Sequence, residues 1–138
     1  MSETADAAAR RLRDHSPEIE AVRRALTERV GSKKPMAVLD FASVFLARAP
    51  DSLFRGRTTD DLAALTLGAF RFLEVARPDR VGVSVMNPDE AAEGWSAPVT
   101  VVRTNVSERP FIVDTIREYL HGEGLAIHHM VYPLLDVE

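Results

Sequence analysis

At Pro78 the hydrophobic pattern of this 138-residue chain changes period. Upstream, apolar residues recur every three or four positions, the spacing of one helix face. Downstream they alternate, the spacing of one face of a strand. A chain that changes period in this way is expected to build helices first and a sheet afterwards. We place the two units at residues 1–77 and 78–138, an α+β arrangement in which each small unit leans on the other to bury enough apolar surface.

The first unit is expected to be a bundle of three or four helices. Ser16, Pro17 and Glu18 supply a hydroxyl cap, a proline at the first turn and an acid at the positive end of the dipole. Ile19, Val22, Leu26 and Val30 follow at helical spacing until Gly31. A second helix opens near Pro35 and carries Val38, Phe41, Ala42, Phe45, Leu46 and Ala49 before Pro50 stops it. As the most apolar segment, it is expected at the centre. Thr59, Asp60 and Asp61 cap a third helix, whose buried face is read as Leu62, Leu65, Thr66, Ala69, Phe72, Leu73 and Ala76.

In the second unit Val81, Val83 and Val85 point one way and Gly82, Ser84 and Met86 the other, the pattern of a half-buried strand. An acidic loop at residues 87–98 holds Trp95, expected to fold back as a lid because a free indole leaves a large apolar surface in water. The alternation then resumes at residues 99–106, giving a long-looped antiparallel hairpin. Phe111, Ile112, Thr115, Ile116, Tyr119 and Leu120 form a helical stripe that Gly122 and Gly124 end. Residues 125–137 are rich in β-branched and aromatic side chains and are read as a third strand. The expected unit is therefore β-β-α-β, a sheet of three strands with one covering helix. So small a sheet exposes its edges, so we expect a fragment cut where the next strand begins, with a sheet edge open to a second copy.

Composition removes several function classes. There is no cysteine, hence no disulfide and no thiolate metal site. No stretch approaches the roughly 18 apolar residues of a membrane span. The first thirteen residues lack the apolar run of a signal peptide, which points to a cytoplasmic setting. Residues 1–77 hold 13 Lys and Arg against 11 Asp and Glu, and residues 78–138 hold 4 against 10, so the halves carry +2 and −6. The pairs Arg10-Arg11, Arg23-Arg24 and Lys33-Lys34 read as solvated helix faces. Nucleic acid is not an expected partner, which also argues against a helix-turn-helix regulator built on residues 16–49.

Across residues 81–137 a series of short motifs appears in order. These are Val85-Met86-Asn87-Pro88, Gly94-Trp95, Thr100-Val101-Val102, the run from Arg109-Pro110-Phe111 through Ile112-Val113-Asp114-Thr115, and Gly124-Leu125-Ala126-Ile127-His128 leading to Tyr132-Pro133. The set resembles the N-terminal region of the large bacterial NAD-specific glutamate dehydrogenases. Arg109 stands where that family usually has methionine, and Tyr132 where a histidine often precedes the proline. The resemblance implies a partial ACT-like, ferredoxin-like unit at residues 78–138 within a regulatory region. It also implies that NAD and the catalytic residues belong to another part of the parent enzyme. Partners would then be the rest of that chain and its other subunits, and this segment would hold no cofactor of its own.

In ACT domains generally, amino-acid effectors bind where the turn after the first strand meets a helix start. Free N–H groups and the helix dipole there attract a carboxylate. Here that turn offers Asn105, Ser107, Glu108 and Arg109, with Asp114 in the first turns of the helix. Phe111 occupies the place of the usual glycine, and we expect it to be a core residue that fills the ligand's space. Asp114 more simply complements the helix dipole. His128 and His129, adjacent in the expected strand, would face opposite sides and could not share a metal. Gly122-Glu123-Gly124 lies between helix and strand, the reverse of a dinucleotide fingerprint, and no nucleophile elbow or phosphate loop occurs. The leading expectation is a regulatory and oligomerisation segment without catalysis; the alternative is a freestanding ACT-like amino-acid sensor.

Overall fold

A computed structural model describes residues 16–31, 35–75, 79–107 and 111–133. The basic pairs at 10–11 and 33–34, Ala76, Pro78, Glu108, Arg109 and the last part of the expected third strand lie outside these residues. Among the described residues, four helices come first in the chain and make up its helical unit: α1 (Ser16–Val30), α2 (Pro35–Ala47), the short α3 (Asp51–Phe54) and α4 (Thr59–Glu74). After them come β1 (Gly82–Met86), the one-turn α5 (Glu90–Glu93), β2 (Val101–Asn105) and α6 (Ile112–Gly122).

The helices form for the reasons their sequences give. Gly31, at φ 67°, ends α1 in the left-handed conformation that spares a glycine any steric penalty. Thr58, one residue before the expected cap, starts α4. Its hydroxyl accepts from Asp61 N–H at 3.0 Å, and Asp61 accepts in return from Thr58 N–H, a reciprocal capping box. Helix α3 falls outside the expected elements, because four residues after a proline stop carry no readable period. It buries Leu53 and Phe54.

Packing joins α1, α2 and α4 around one core. Val22, Leu26, Phe41, Ala42, Phe45, Leu46, Leu53, Phe54, Leu62 and Ala63 are buried together. The Phe41 ring stacks on Phe45 with centroids 5.3 Å apart and tilts against Phe70 at 5.5 Å. Thr66, the polar residue buried here, donates to Leu62 O at 2.7 Å and so carries no unmet group. Arg23 is not a solvated residue of a basic pair. It reaches across from α1 to the Leu39 carbonyl and the Ser43 hydroxyl of α2, while Arg24 stays exposed.

The central helix is α4, not the more apolar α2. It packs on α1 and α2 with one side and on α5 and β2 with another. That double duty explains why Ala63 and Ala64, outside the expected stripe, are buried.

Strands β1 and β2 pair antiparallel, with Gly82 opposite Asn105 and Met86 opposite Val101. The face that meets α4 is the one bearing Gly82, Ser84, Met86, Val101, Arg103 and Asn105. A methyl group on Gly82 would stand 3.4 Å from the Phe72 ring. The opposite face, with Val81, Val83, Val85 and Val102, is exposed.

The covering helix and the third strand differ from expectation. No residue of α6 is fully buried and α6 makes no extensive contact with either strand, so it is not the cover of the sheet, although Ile112, Ile116 and Leu120 are half-buried. Residues 125–133 contain no strand, and the sheet has two strands, not three, among the described residues. A left-handed Gly124 closes α6, with Leu125 N–H bonded to the Leu120 carbonyl at 3.0 Å, and turns the chain away from the sheet. The chain then returns to the helical unit, where Val131 packs against the core and His129 Nδ1 lies 3.0 Å from Ser52 Oγ. Helical side chains, not a backbone ladder, hold this segment.

Candidate functional site

The turn singled out by the sequence is only loosely assembled. Asn105 is half-buried at the end of β2, opposite Gly82, and Ser107 is exposed. Glu108 and Arg109 lie outside the described residues. Asp114 is exposed in the first turn of α6. Phe111 is not a core residue: it is 76% exposed, because α6 does not dock on the sheet and leaves no core for the ring to enter. Its backbone nevertheless takes the left-handed conformation, φ 65°, that suits the glycine expected at this place. An open hollow of about 520 Å³ beside it is lined by Phe111, Asp114, Thr115, Arg117 and Glu118. Two carboxylates against one guanidinium make this hollow a poor seat for an anion.

A better-built place joins the two units. The loop between the strands is folded, not slack. Thr100 Oγ1 donates to Asn87 Oδ1 at 2.7 Å across its mouth, and Pro88 is buried. Asp89 caps α5 by accepting from Ala92 N–H at 2.7 Å, and Gly94, at φ 81°, ends it. Gly94 lies so close to α4 that a Cβ there would be 3.3 Å from the Ala64 methyl. Trp95, 3% exposed, is buried as expected. Its indole N–H finds no hydrogen-bond partner among the described residues, so packing alone holds the ring.

Arg103 of β2 and Glu93 of α5 meet over the backbone of Gly68 in α4. Their Nη2 to Oε1 distance is 2.9 Å, with side chains only 13% and 21% exposed. A Cβ on Gly68 would stand 2.5 Å from the guanidinium and 2.8 Å from the carboxylate. A side chain at this position would make both charged tips shift from where they lie on the helix. Around this pair runs a cleft of about 520 Å³ with Ala64, Leu67 and Phe72 on its floor and Arg29 and Arg71 at its rim. Arg29 faces Asp60 at 3.7 Å. Periodicity alone does not reveal this cleft. A usable signal is Gly68 itself, a helix-interior glycine that costs about 1 kcal/mol against alanine and so asks for a packing reason.

Among the described residues, no three His, Cys, Asp or Glu side chains are grouped to hold a metal, and no helix is long and apolar enough to cross a membrane. His128 and His129 are not in a strand; their ring centres are 6.5 Å apart. The pKa of His129 is displaced: burial first, then Arg57, then His128 hold it below the ordinary 6.5.

The family model described as "Glutamate dehydrogenase, ACT1 domain" matches residues 41–138, reaching back from the hairpin through α4 and α3 into α2. A curated NAD-specific glutamate dehydrogenase of Halomonas elongata is 31% identical over 112 residues, 81% of this chain and 7% of that one. The NAD-specific glutamate dehydrogenase of Pseudomonas aeruginosa is 34% identical over 113 residues, 82% of this chain and again 7% of the relative. The chain thus spans a small fraction of the length of these relatives. No solved structure matches it significantly. The motif residues that carry the resemblance include those that fold the strand-joining loop onto α4, and the matched span contains the loop, both strands and α4: this chain belongs to the ACT1-domain family of glutamate dehydrogenases.

Proposed function

We propose that the chain is an N-terminal, non-catalytic regulatory and assembly segment of a cytoplasmic NAD-specific glutamate dehydrogenase. The whole enzyme would oxidise glutamate to 2-oxoglutarate and ammonia with NAD, and this segment would hold neither nucleotide nor substrate. One observation carries the reading. The valine face of the hairpin is left open, and Phe111 and Tyr119 are exposed at α6, beside a well-filled helical core. A sheet face of this kind marks an interaction surface. Its partners would be the remainder of the enzyme and its other subunits, or a second copy meeting a strand edge. The turn at Asn105, Ser107, Glu108, Arg109 and Asp114 is the place proposed for an amino-acid effector.

The test is made in the whole enzyme. Val83→Glu and Val85→Glu together place two charges on the open face, at positions exposed enough that the isolated chain is expected to keep its fold. Loss of the native oligomer in sedimentation, with the isolated segment still folded, is the expected result. An unchanged oligomer with unchanged kinetics would refute the assembly role. Turnover of glutamate and NAD by the isolated chain would refute the non-catalytic one.

A further inference from the structure

The two edges of the hairpin differ. Strand β2 carries Arg103, whose side chain points inward onto α4, and an inward-pointing charge is one of the devices by which a strand edge discourages a further strand. Strand β1 has none of these devices. From Val81 to Pro88 there is no charged residue, and Gly82–Met86 contains no proline and pairs with β2 in unbroken register, without a bulge. Among the described residues β2 is its only strand partner, so the backbone groups on its other side have no ladder.

We infer that the free edge of β1 pairs antiparallel with β1 of a second copy, about a two-fold axis at Ser84, joining two hairpins into one four-stranded sheet. The pairing rests on the assembly role proposed above and gives it a partner. A two-fold contact requires a patch that matches itself. An axis at Ser84 sets Gly82 opposite Met86 and Val83 opposite Val85 in both directions, so all five strand residues pair. Valine then meets valine across the strands, and a slip of one residue would turn the valines of one copy to the other face.

Charge and space agree with a copy as the partner. No like charges meet within the ladder, and at its ends the exposed Arg80 of one copy comes beside the exposed Asp89 of the other. Asp79, one residue further out, offsets part of that attraction, and salt screens both. Helix α4 packs chiefly against β2, away from the shared edge. The two copies of α4 are then about three strand spacings apart, roughly 14 Å, beyond the roughly 8–10 Å at which packed helices lie. The valine face stays open in the joined sheet and becomes continuous across it.

So short a ladder makes a small interface, which a covalent trap reads better than sedimentation does. The chain has no cysteine, so one introduced thiol reports its own encounters. Ser84→Cys places thiols on directly opposed residues, with Cα atoms about 4.5 or 5.5 Å apart, inside the roughly 4.4–6.8 Å that a disulfide spans. Val102→Cys puts the thiol on β2, at least about 14 Å from its counterpart. In a glutathione redox buffer the Ser84→Cys dimer is expected to form at least about tenfold faster than the Val102→Cys dimer, because paired strands hold their thiols at an effective concentration far above micromolar protein.

A second arm leaves the side facing α4 untouched. Val83→Cys and Val85→Cys chains, mixed in equal amounts, are expected to give the mixed disulfide in excess over either self-disulfide, since residue 83 of one copy lies opposite residue 85 of the other. Two valine faces stacked on each other would be about 10 Å apart and would give no such excess. Ser84→Cys cross-linking no faster than Val102→Cys would overturn the pairing, and so would statistical proportions in the mixture. If that happens while Val83→Glu with Val85→Glu still breaks the oligomer of the whole enzyme, the assembly role stands and its partner is another part of the enzyme, not β1 of a copy.

Discussion

In the helical unit Val22, Leu26 and Leu46 are sealed between three helices, whereas Val83, Val85 and Val102 of the hairpin stand in water. Both regions present apolar faces, but only the first finds partners for them within the chain. Helices α1, α2 and α4 each supply a stripe that another helix covers, so their hydrophobic residues stabilise the chain by themselves. A two-stranded sheet has two faces and α4 covers one. The other face, and Phe111 and Tyr119 at α6, are left to find partners. What separates a self-sufficient unit from a dependent one is thus the number of covering layers, not hydrophobicity.

The largest expected effect lies on the sealed side. Leu26→Ala removes the isopropyl end of a side chain with no exposure and should cost about 3 kcal/mol. Urea unfolding reads it as a lowered midpoint with an unchanged slope. A loss under about 1 kcal/mol would mean that the bundle is less tightly packed than the contrast requires.

Next comes the joint between the regions. Gly68→Ala should gain about 1 kcal/mol of helix propensity, yet its methyl displaces the Arg103–Glu93 pair, and overpacking of this kind costs about 1–3 kcal/mol. A net loss is expected. In an Arg103→Ala background the closer contact is gone and the Glu93 carboxylate, 2.8 Å from the new methyl, loses its partner and is free to turn aside, so the same Gly68→Ala change should become neutral or stabilising. A double-mutant cycle in urea measures the coupling, and strict additivity would show that the pair does not rest on the helix.

The capping box is smaller and belongs to the bundle alone. Thr58→Ala removes the acceptor for Asp61 N–H and should cost about 1 kcal/mol, read by thermal or urea unfolding.

How much of this is legible in the sequence follows the same division. The faces of α1 and α2 come through because a partner on one side leaves a clean stripe: Val22, Leu26, Val38, Phe41, Ala42 and Leu46 are expected inside and are buried. Alternation marks both strands of the hairpin, and the indole of Trp95 folds back as its size demands. Ala63 and Ala64 escape the pattern because α4 is contacted on two sides, which blurs a stripe. The two four-residue helices are too short for any period to show. Residues 125–133 mislead for a different reason. Their β-branched content suits a strand, but strand formation needs an edge to pair with, and the chain leaves Gly124 heading for α3. At the candidate site, Asn105 and Asp114 do stand at the end of a strand and the start of a helix. The Gly68 cradle depends on Arg103 and Glu93 arriving from elsewhere in the chain, which no local pattern records.

The smallest effect tests the comparison most directly. Val85→Thr keeps the shape of the side chain and changes one methyl for a hydroxyl. On an exposed strand position of a monomer it should alter stability by no more than about 0.5 kcal/mol, because threonine suits a strand as well as valine does. The same change beneath a partner would bury an unmatched hydroxyl and cost about 1–3 kcal/mol. Urea midpoints measured at two protein concentrations separate the cases. A near-zero difference at both concentrations means that the valine face is open, as the contrast with the bundle requires. A large loss that grows with concentration means that copies of the chain already cover this face for one another, and the hairpin would then be sealed by association as the bundle is sealed by its own helices.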